Sequence, residues 1–294
     1  MPINILKIGI GLPTTVPQDN GSLLLDMARQ AEIGPFSSVG VNDRVVYSNF
    51  EALTTLAAVA GATRRVRLLT NVVIAPLHST VLLAKQVASL DALSGGRLTL
   101  GLGVGFREDD FTAVSASYHD RGKRFDAQLA LMKRLWSGQA LNEEIGAIGP
   151  LPAQPGGPEI VIGAASPAAI KRVGRWGSGY MAGTAGPEYA NQLYHMAEAA
   201  WQEAGRPGKP RLMACAYFGL GPDAQEHARA SVQKYYAFLE PAIANVIVNS
   251  VSTTAEEVKT TIQRFAEIGT DELIMVPAIP EVAQVERLAD VIGG

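Results

Sequence analysis

Residues 65–107 read RVRLLTNVVIAPLHSTVLLAKQVASLDALSGGRLTLGLGVGFR, and this stretch decides the fold. Residues 66–75 are rich in Val, Leu and Ile with almost no charge, the pattern of a strand covered on both faces, as in a parallel sheet flanked by helices. Leu82, Leu83, Val87, Leu90 and Leu93 then recur at helical spacing with Lys85, Gln86, Ser89 and Asp91 between them, which predicts a helix over 81–93. Ser94-Gly95-Gly96 tolerates positive φ and stops that helix, and Arg97 leads straight into a second apolar run over 98–104. Together they make a β-α-β unit. At the carboxyl end of its second strand Gly101, Gly103 and Gly105 alternate. Glycine weakens a strand, so one face is kept bare, either for tight packing inside a narrow barrel or where another backbone or a flat ligand comes close.

Working outward, the same grammar repeats. Toward the amino end, a strand is expected over 5–12, closed by Pro13, then a helix over 22–33, a strand over 38–42 and a helix over 50–63. The second strand ends in Asn42-Asp43-Arg44, polar where a barrel strand reaches its rim. Beyond residue 104, an irregular acidic segment over 106–118 precedes a helix over 120–136 and a Gly- and Pro-rich loop over 137–157. Such a long loop in a compact domain is functional or mobile, and it is expected to cover the pocket and carry specificity. Strands follow at 159–163, 179–182, 212–220 and 272–276, with helices at 166–176, 187–204, 223–238, 254–268 and 279–291. Eight strands alternating with helices predict a (β/α)8 TIM barrel with a long insertion loop between strands 4 and 5, formed by one domain over 1–294.

Composition narrows the function classes. A hydrophobic fraction of 47% with 18% charged residues suits a large covered core, and a net charge of −3 offers no basic patch for nucleic acid. No apolar run is long enough for a membrane span, and Gly and Pro interrupt the apolar start MPINILKIGIGLP, so a cytoplasmic protein is expected. Cys215 is the one cysteine and lies in an apolar run, which points to buried packing. The histidines show no metal-ligand spacing, so no metal site is expected.

SLDALSGGRLTLGLGVG, the strand before it and the later EIVIGAASPAAIKRVGRWGSGYM resemble the bacterial-luciferase-like flavin and deazaflavin oxidoreductases, over residues 7–276. The resemblance implies a (β/α)8 barrel that binds reduced FMN, or the deazaflavin F420, at the carboxyl ends of its strands. It places Asn71-Val72 where the family often carries a non-prolyl cis peptide beneath the flavin ring; Gly103 and Gly105, on the bare strand end, are the further candidates for cofactor contact. It also implies that the loop Gly163-Ala164-Ala165-Ser166 holds the cofactor phosphate. The residues by themselves suit that role, since small side chains leave amides open at a helix N-terminus, and they equally suit a plain turn in which Ser166 caps the helix.

Asp43-Arg44 departs from the family pattern, in which His often follows the Asp. A guanidinium stays protonated, so a general-base role is lost at Arg44. Three roles remain open: holding a substrate carboxylate, facing the anionic edge of reduced flavin, or pairing with Asp43 at the rim. Glu108, with Asp109 and Asp110 after the glycine strand, is the candidate proton carrier. His78, after the third strand, reaches toward the mouth or is an ordinary loop residue.

The expected function is a flavin-dependent monooxygenase acting on a small organic substrate with O2 and with reduced FMN supplied by a separate flavin reductase. An F420-dependent hydride-transfer enzyme and a non-catalytic flavin-binding protein are the alternatives. The family's pairing through its second and third helices implies a homodimer.

Overall fold

The computed structural model describes residues 6–17 and 19–293. Ile5, expected to start the first strand, lies outside them. The strands are β1 (Lys7–Gly11), β2 (Ser38–Val41), β3 (Arg67–Thr70), β4 (Val73–Ile74), β5 (Leu98–Gly103), β6 (Glu159–Gly163), β7 (Gly179–Ala182), β8 (Arg211–Phe218) and β9 (Glu272–Pro277). All pairings are parallel, in the order β3-β2-β1-β9-β8-β7-β6-β5-β4, and β3 also pairs with β5. That last pairing closes the sheet into a (β/α)8 barrel, because β3 and β4 are two halves of one barrel strand.

Side chains alternate between two layers of core. Leu273 and Met275 of β9 pack outward against the helices, whereas Ile274 and Val276 face the interior with Val161, Met181, Met213 and Cys215. At the amino-terminal end the interior is ionic: Arg211 Nη1 donates to Glu159 Oε2 at 2.7 Å, and its Nη2 pairs with the buried Glu272. Ser38 Oγ donates to Glu272 Oε1 at 2.6 Å, and Thr99 Oγ1 to Glu159 Oε2 at 3.2 Å. A buried carboxylate is tolerated only with such partners, so this layer plugs the barrel floor.

Helices α1 (Gly21–Ile33), α2 (Ala52–Ala62) and α3 (Thr80–Leu93) lie where the periodicity predicts them, as do α5 (Arg121–Trp136), α6 (Pro167–Trp176), α7 (Pro187–Glu203), α8 (Ala224–Tyr235), α10 (Ala255–Glu267) and α11 (Ala283–Gly293). Three expectations fail. The acidic segment over 106–118 is not wholly irregular: it holds α4 (Glu108–Ala113), whose three carboxylates in the first turn suit the positive helix end and whose Phe111 is buried. A further helix, α9 (Pro241–Asn249), begins on a proline in its first turn.

The loop over 137–157 does not cover the mouth. It links α5 to β6 and therefore lies at the barrel's amino-terminal end, where Gln154 Nε2 donates to Asp91 Oδ1 at 2.7 Å and to the Leu98 carbonyl at 2.7 Å. Loops that precede strands and loops that follow them lie at opposite ends of such a barrel. The excursion over 219–253, carrying α8 and α9 between β8 and α10, is what reaches over the carboxyl end.

Gly101 and Gly61 separate the two uses of glycine here. A Cβ at Gly101 would lie 1.9 Å from the Thr70 carbonyl oxygen, whereas one at Gly61, in the last turn of α2, meets nothing within 4 Å. Gly101→Ala is expected to cost at least about 2 kcal/mol by overpacking, and Gly61→Ala to stabilise by about 0.5 kcal/mol. Urea unfolding midpoints check both, and equal midpoints would contradict the close approach.

Candidate active site

The site is built on an irregularity in the third barrel strand. Leu68 lies opposite Leu98 in β5, but Val73 lies opposite Leu102, so the strand carries one extra residue. This is a bulge, and it resets the inside–outside alternation. Leu69 faces the interior; after the bulge Val73 packs outward, and Val72 joins the interior cluster. The Asn71-Val72 peptide at this point is cis.

The bare face of β5 is explained by the same feature. Cβ atoms at Gly101, Gly103 and Gly163 would lie 3.0, 2.9 and 3.0 Å from the Val72 side chain. Close approach of the chain itself therefore accounts for Gly101 and Gly103 without a ligand. Gly105 has φ +71°, and a Cβ there would meet Ile74 Cγ2 at 2.6 Å. Asn71 Nδ2 donates to Asn42 Oδ1 at 2.9 Å and to Cys215 Sγ at 3.6 Å, and Asn71 Oδ1 is buried with no hydrogen-bond partner. An orphaned buried acceptor at a barrel mouth is a place for a ligand donor.

Asp43 and Arg44, adjacent in sequence, part company. Asp43 is buried; its Oδ2 accepts the Ile74 N–H at 2.9 Å and faces His78 Nε2 at 3.5 Å. Asp43 thus ties the end of β2 to β4 and orients His78. Arg44 instead reaches Asp109 Oδ2 at 4.0 Å and lies against the rings of Tyr47, Tyr235 and Phe238. The rim ion pair between Asp43 and Arg44 is not formed.

Of the three acids in α4, Glu108 is exposed and joins neither Asp43 nor Arg44 among the described contacts. Asp110 is the buried one, accepting the Val45 and Val46 N–H groups at 3.1 and 2.6 Å. Burial works to raise the Asp109 carboxyl, but the Arg107 hydrogen bond and charge, the Asp110 N–H and the Arg44 charge together hold it below its ordinary range.

A polar aromatic band crosses the mouth from the 219–253 excursion. Tyr235 stacks edge-on against Tyr47 at 5.1 Å, and Tyr236 shares its hydroxyl with Tyr217 and Thr184, each at 3.2 Å. Burial lifts the Tyr217, Tyr235 and Tyr236 hydroxyls above their ordinary values, so all three stay protonated. Sequence reasoning missed this band because its rings come from a segment distant along the chain.

At the next rim position, Ser166 Oγ accepts the Ala169 N–H at 3.4 Å and caps α6. The capping reading is therefore right, and it leaves room for the other. Gly163 and Ala164 are half-buried, Ala165 and Ser166 are exposed, and among the described residues neither the Ala165 nor the Ser166 amide donates to a backbone carbonyl. Two free amides at the start of a helix suit an anion.

Residues 6–272 match the family model described as luciferase-like monooxygenase. The chain belongs to that family. The F420-dependent hydroxymycolic acid dehydrogenase of Mycobacterium tuberculosis is 27% identical over 295 residues, spanning 93% of this chain and 79% of that protein. Monooxygenase RslO1 from Streptomyces bottropensis has a similar structure, with a TM-score of 0.81 at 26% identity over 98% of both chains. An F420-dependent secondary alcohol dehydrogenase in complex with an F420-acetone adduct has a TM-score of 0.80 at 20% identity over 98% of both chains, a likeness of fold. The family thus includes both monooxygenases and F420-dependent oxidoreductases. No helix among the described residues is long and apolar enough to cross a membrane.

Cys215 lies on the floor of this site, and burial pushes its thiol up to about 12 despite the hydrogen bond from Asn71. Such a thiol is about one part in ten thousand thiolate at pH 8. Ellman's reagent at that pH is expected to leave the folded protein unlabelled and to titrate the single thiol in denaturant. Rapid labelling of the native protein would contradict this burial.

Proposed function

We propose that this chain is a flavin-dependent monooxygenase that uses reduced FMN and O2 on a small organic substrate. The observation that carries the reading is the presence, on one barrel end, of two unengaged amides at the start of α6 and a buried unpaired acceptor, Asn71 Oδ1. The first suits a phosphate dianion and the second a ring N–H, so the residues present fit FMN. Ala165 and Ser166 would hold the phosphate, and Asn71 with Val72 would support the ring. Bound reduced FMN would supply two electrons and the reaction with O2.

The chain's own residues provide the setting. Val72, Met181 and Cys215 give an apolar floor that excludes water. Tyr217 and Tyr236 present protonated hydroxyls at the mouth and can donate hydrogen bonds. Arg44 contributes fixed positive charge where a histidine would exchange protons. His78 lies 3.5 Å from Asp43 Oδ2 and is oriented by that carboxylate.

A second reading, F420-dependent hydride transfer, is favoured by the 27% identical F420-dependent relative. The arginine in place of a proton-exchanging histidine tilts the choice to FMN. The reading includes a separate flavin reductase and a cytoplasmic homodimer formed through α2 and α3, with Leu82 and Leu93 of α3 exposed at 56% and 80%.

Ala165→Asp tests the phosphate seat. A carboxylate about 4 Å from the phosphate costs from about 1 kcal/mol in water to about 4 kcal/mol at an effective dielectric of 20, so FMN affinity should fall from several-fold to about a thousand-fold. Riboflavin, lacking the phosphate, should change far less. Folding should survive, because an acid near a helix start is favourable. Equal losses of FMN and riboflavin in fluorescence titrations would count against the seat.

A further inference from the structure

Two guanidiniums at the rim have hydrogen-bonding capacity that the protein does not use. The Arg44 side chain is 8% exposed and the Arg107 side chain 12%. Arg44 Nε and Arg107 Nε and Nη1 are buried without hydrogen-bond partners. Their anionic neighbours are few. Asp109 Oδ2 meets both arginines, at 4.0 Å from Arg44 and 2.5 Å from Arg107, but its side chain is 41% exposed. Asp110 is buried, but one of its oxygens is committed to two backbone amides and the other lies 3.8 Å from Arg107 Nε, beyond hydrogen-bond length.

The surroundings are aromatic. Arg44 Cζ lies 4.5 Å from the Tyr47 ring centre and 5.3 Å from that of Tyr235, and Arg107 Cζ lies 3.9 Å from that of Phe238. Phe238 in turn stacks on Phe106 at 5.6 Å. Rings orient a guanidinium by cation–π attraction without consuming its in-plane donors. Arginine forks match carboxylates in plane, often through two parallel bonds. Held this way, the pair is set up for a planar anion attached to an apolar body.

We infer that Arg44 and Arg107 recognise the substrate's carboxylate, and that the substrate of this barrel is an aromatic or other apolar organic acid. The substrate class rests on the flavin-enzyme reading above, whereas the anion site stands on the unused donors themselves. Arg44 then acts as a substrate-binding residue rather than a proton carrier.

Phenylacetate and its neutral counterpart phenylacetamide test the assignment by calorimetric titration of the full chain, with and without FMN. The acid is expected to bind at least about ten-fold more tightly than the amide, as charge-assisted hydrogen bonds require. Arg107→Gln should abolish that preference while leaving FMN affinity unchanged, and Arg107→Lys, which keeps the charge but not the fork, should restore only part of it. Arg44→Gln should act like Arg107→Gln; should it fail to fold, the Arg107 variants decide. Equal affinity for acid and amide, no measurable binding of the acid, or an intact preference in Arg107→Gln would overturn the site. Loss of FMN rather than acid affinity in Arg107→Gln would also overturn it, by giving the pair to the cofactor. Failure of FMN to bind the parent protein would overturn the flavin reading instead, and the acid–amide comparison in the cofactor-free protein would still decide the anion site.

Discussion

The mouth of this barrel depends on one close approach: the Thr70 carbonyl passing where a Cβ on Gly101 would stand. Only a residue without a side chain lets the third strand run this near β5 while carrying an extra residue. Because of that residue, Asn71 and Val72 both serve the interior, Val72 fills space left by Gly103 and Gly163, and β4 resumes in a shifted register. The resumption sets the Ile74 N–H against Asp43, and Asp43 in turn faces His78. Three glycines thus determine where the polar groups of the site stand.

The two barrel ends divide the labour between stability and chemistry. At the floor the buried ions are matched, with Arg211 between Glu159 and Glu272 and the Ser37 and Ser38 hydroxyls completing the second carboxylate. At the mouth the accounts are left open: Asn71 Oδ1, Arg44 Nε and Arg107 Nη1 lack partners although they are buried. Unsatisfied buried groups weaken a fold unless something else meets them, so their concentration at one end marks that end for ligands. The excursion over 219–253 shields these groups with Tyr235 and Phe238, and cation–π contacts to Arg44 and Arg107 hold it there.

What was legible in the sequence was whatever depends on near neighbours along the chain. The apolar runs and their helical partners gave the barrel order, and Ser166 before Pro167 gave a true helix cap. Family resemblance marked Asn71-Val72, and the cis peptide is there. The failures are failures of distance or direction. Adjacency leaves a rim pair with Asp43 among the open roles of Arg44, but its contacts are Asp109, Tyr47 and rings from α8 and the turn after it, the last two nearly two hundred residues away. Composition exposed the loop over 137–157 as long, but which end of the barrel it lies on follows from the order of helix and strand around it. Residue type alone also could not select Asp110 as the buried acid beside the exposed Glu108, because burial there is set by amides from the β2–α2 loop.

The most direct measurement is a crystal structure of the protein soaked with FMN. The phosphate is expected within hydrogen-bonding distance of the Ala165 and Ser166 amides, with the ring lying over Asn71 and Val72 at the carboxyl end of the barrel. FMN bound at another surface, or with its phosphate away from the start of α6, would contradict it.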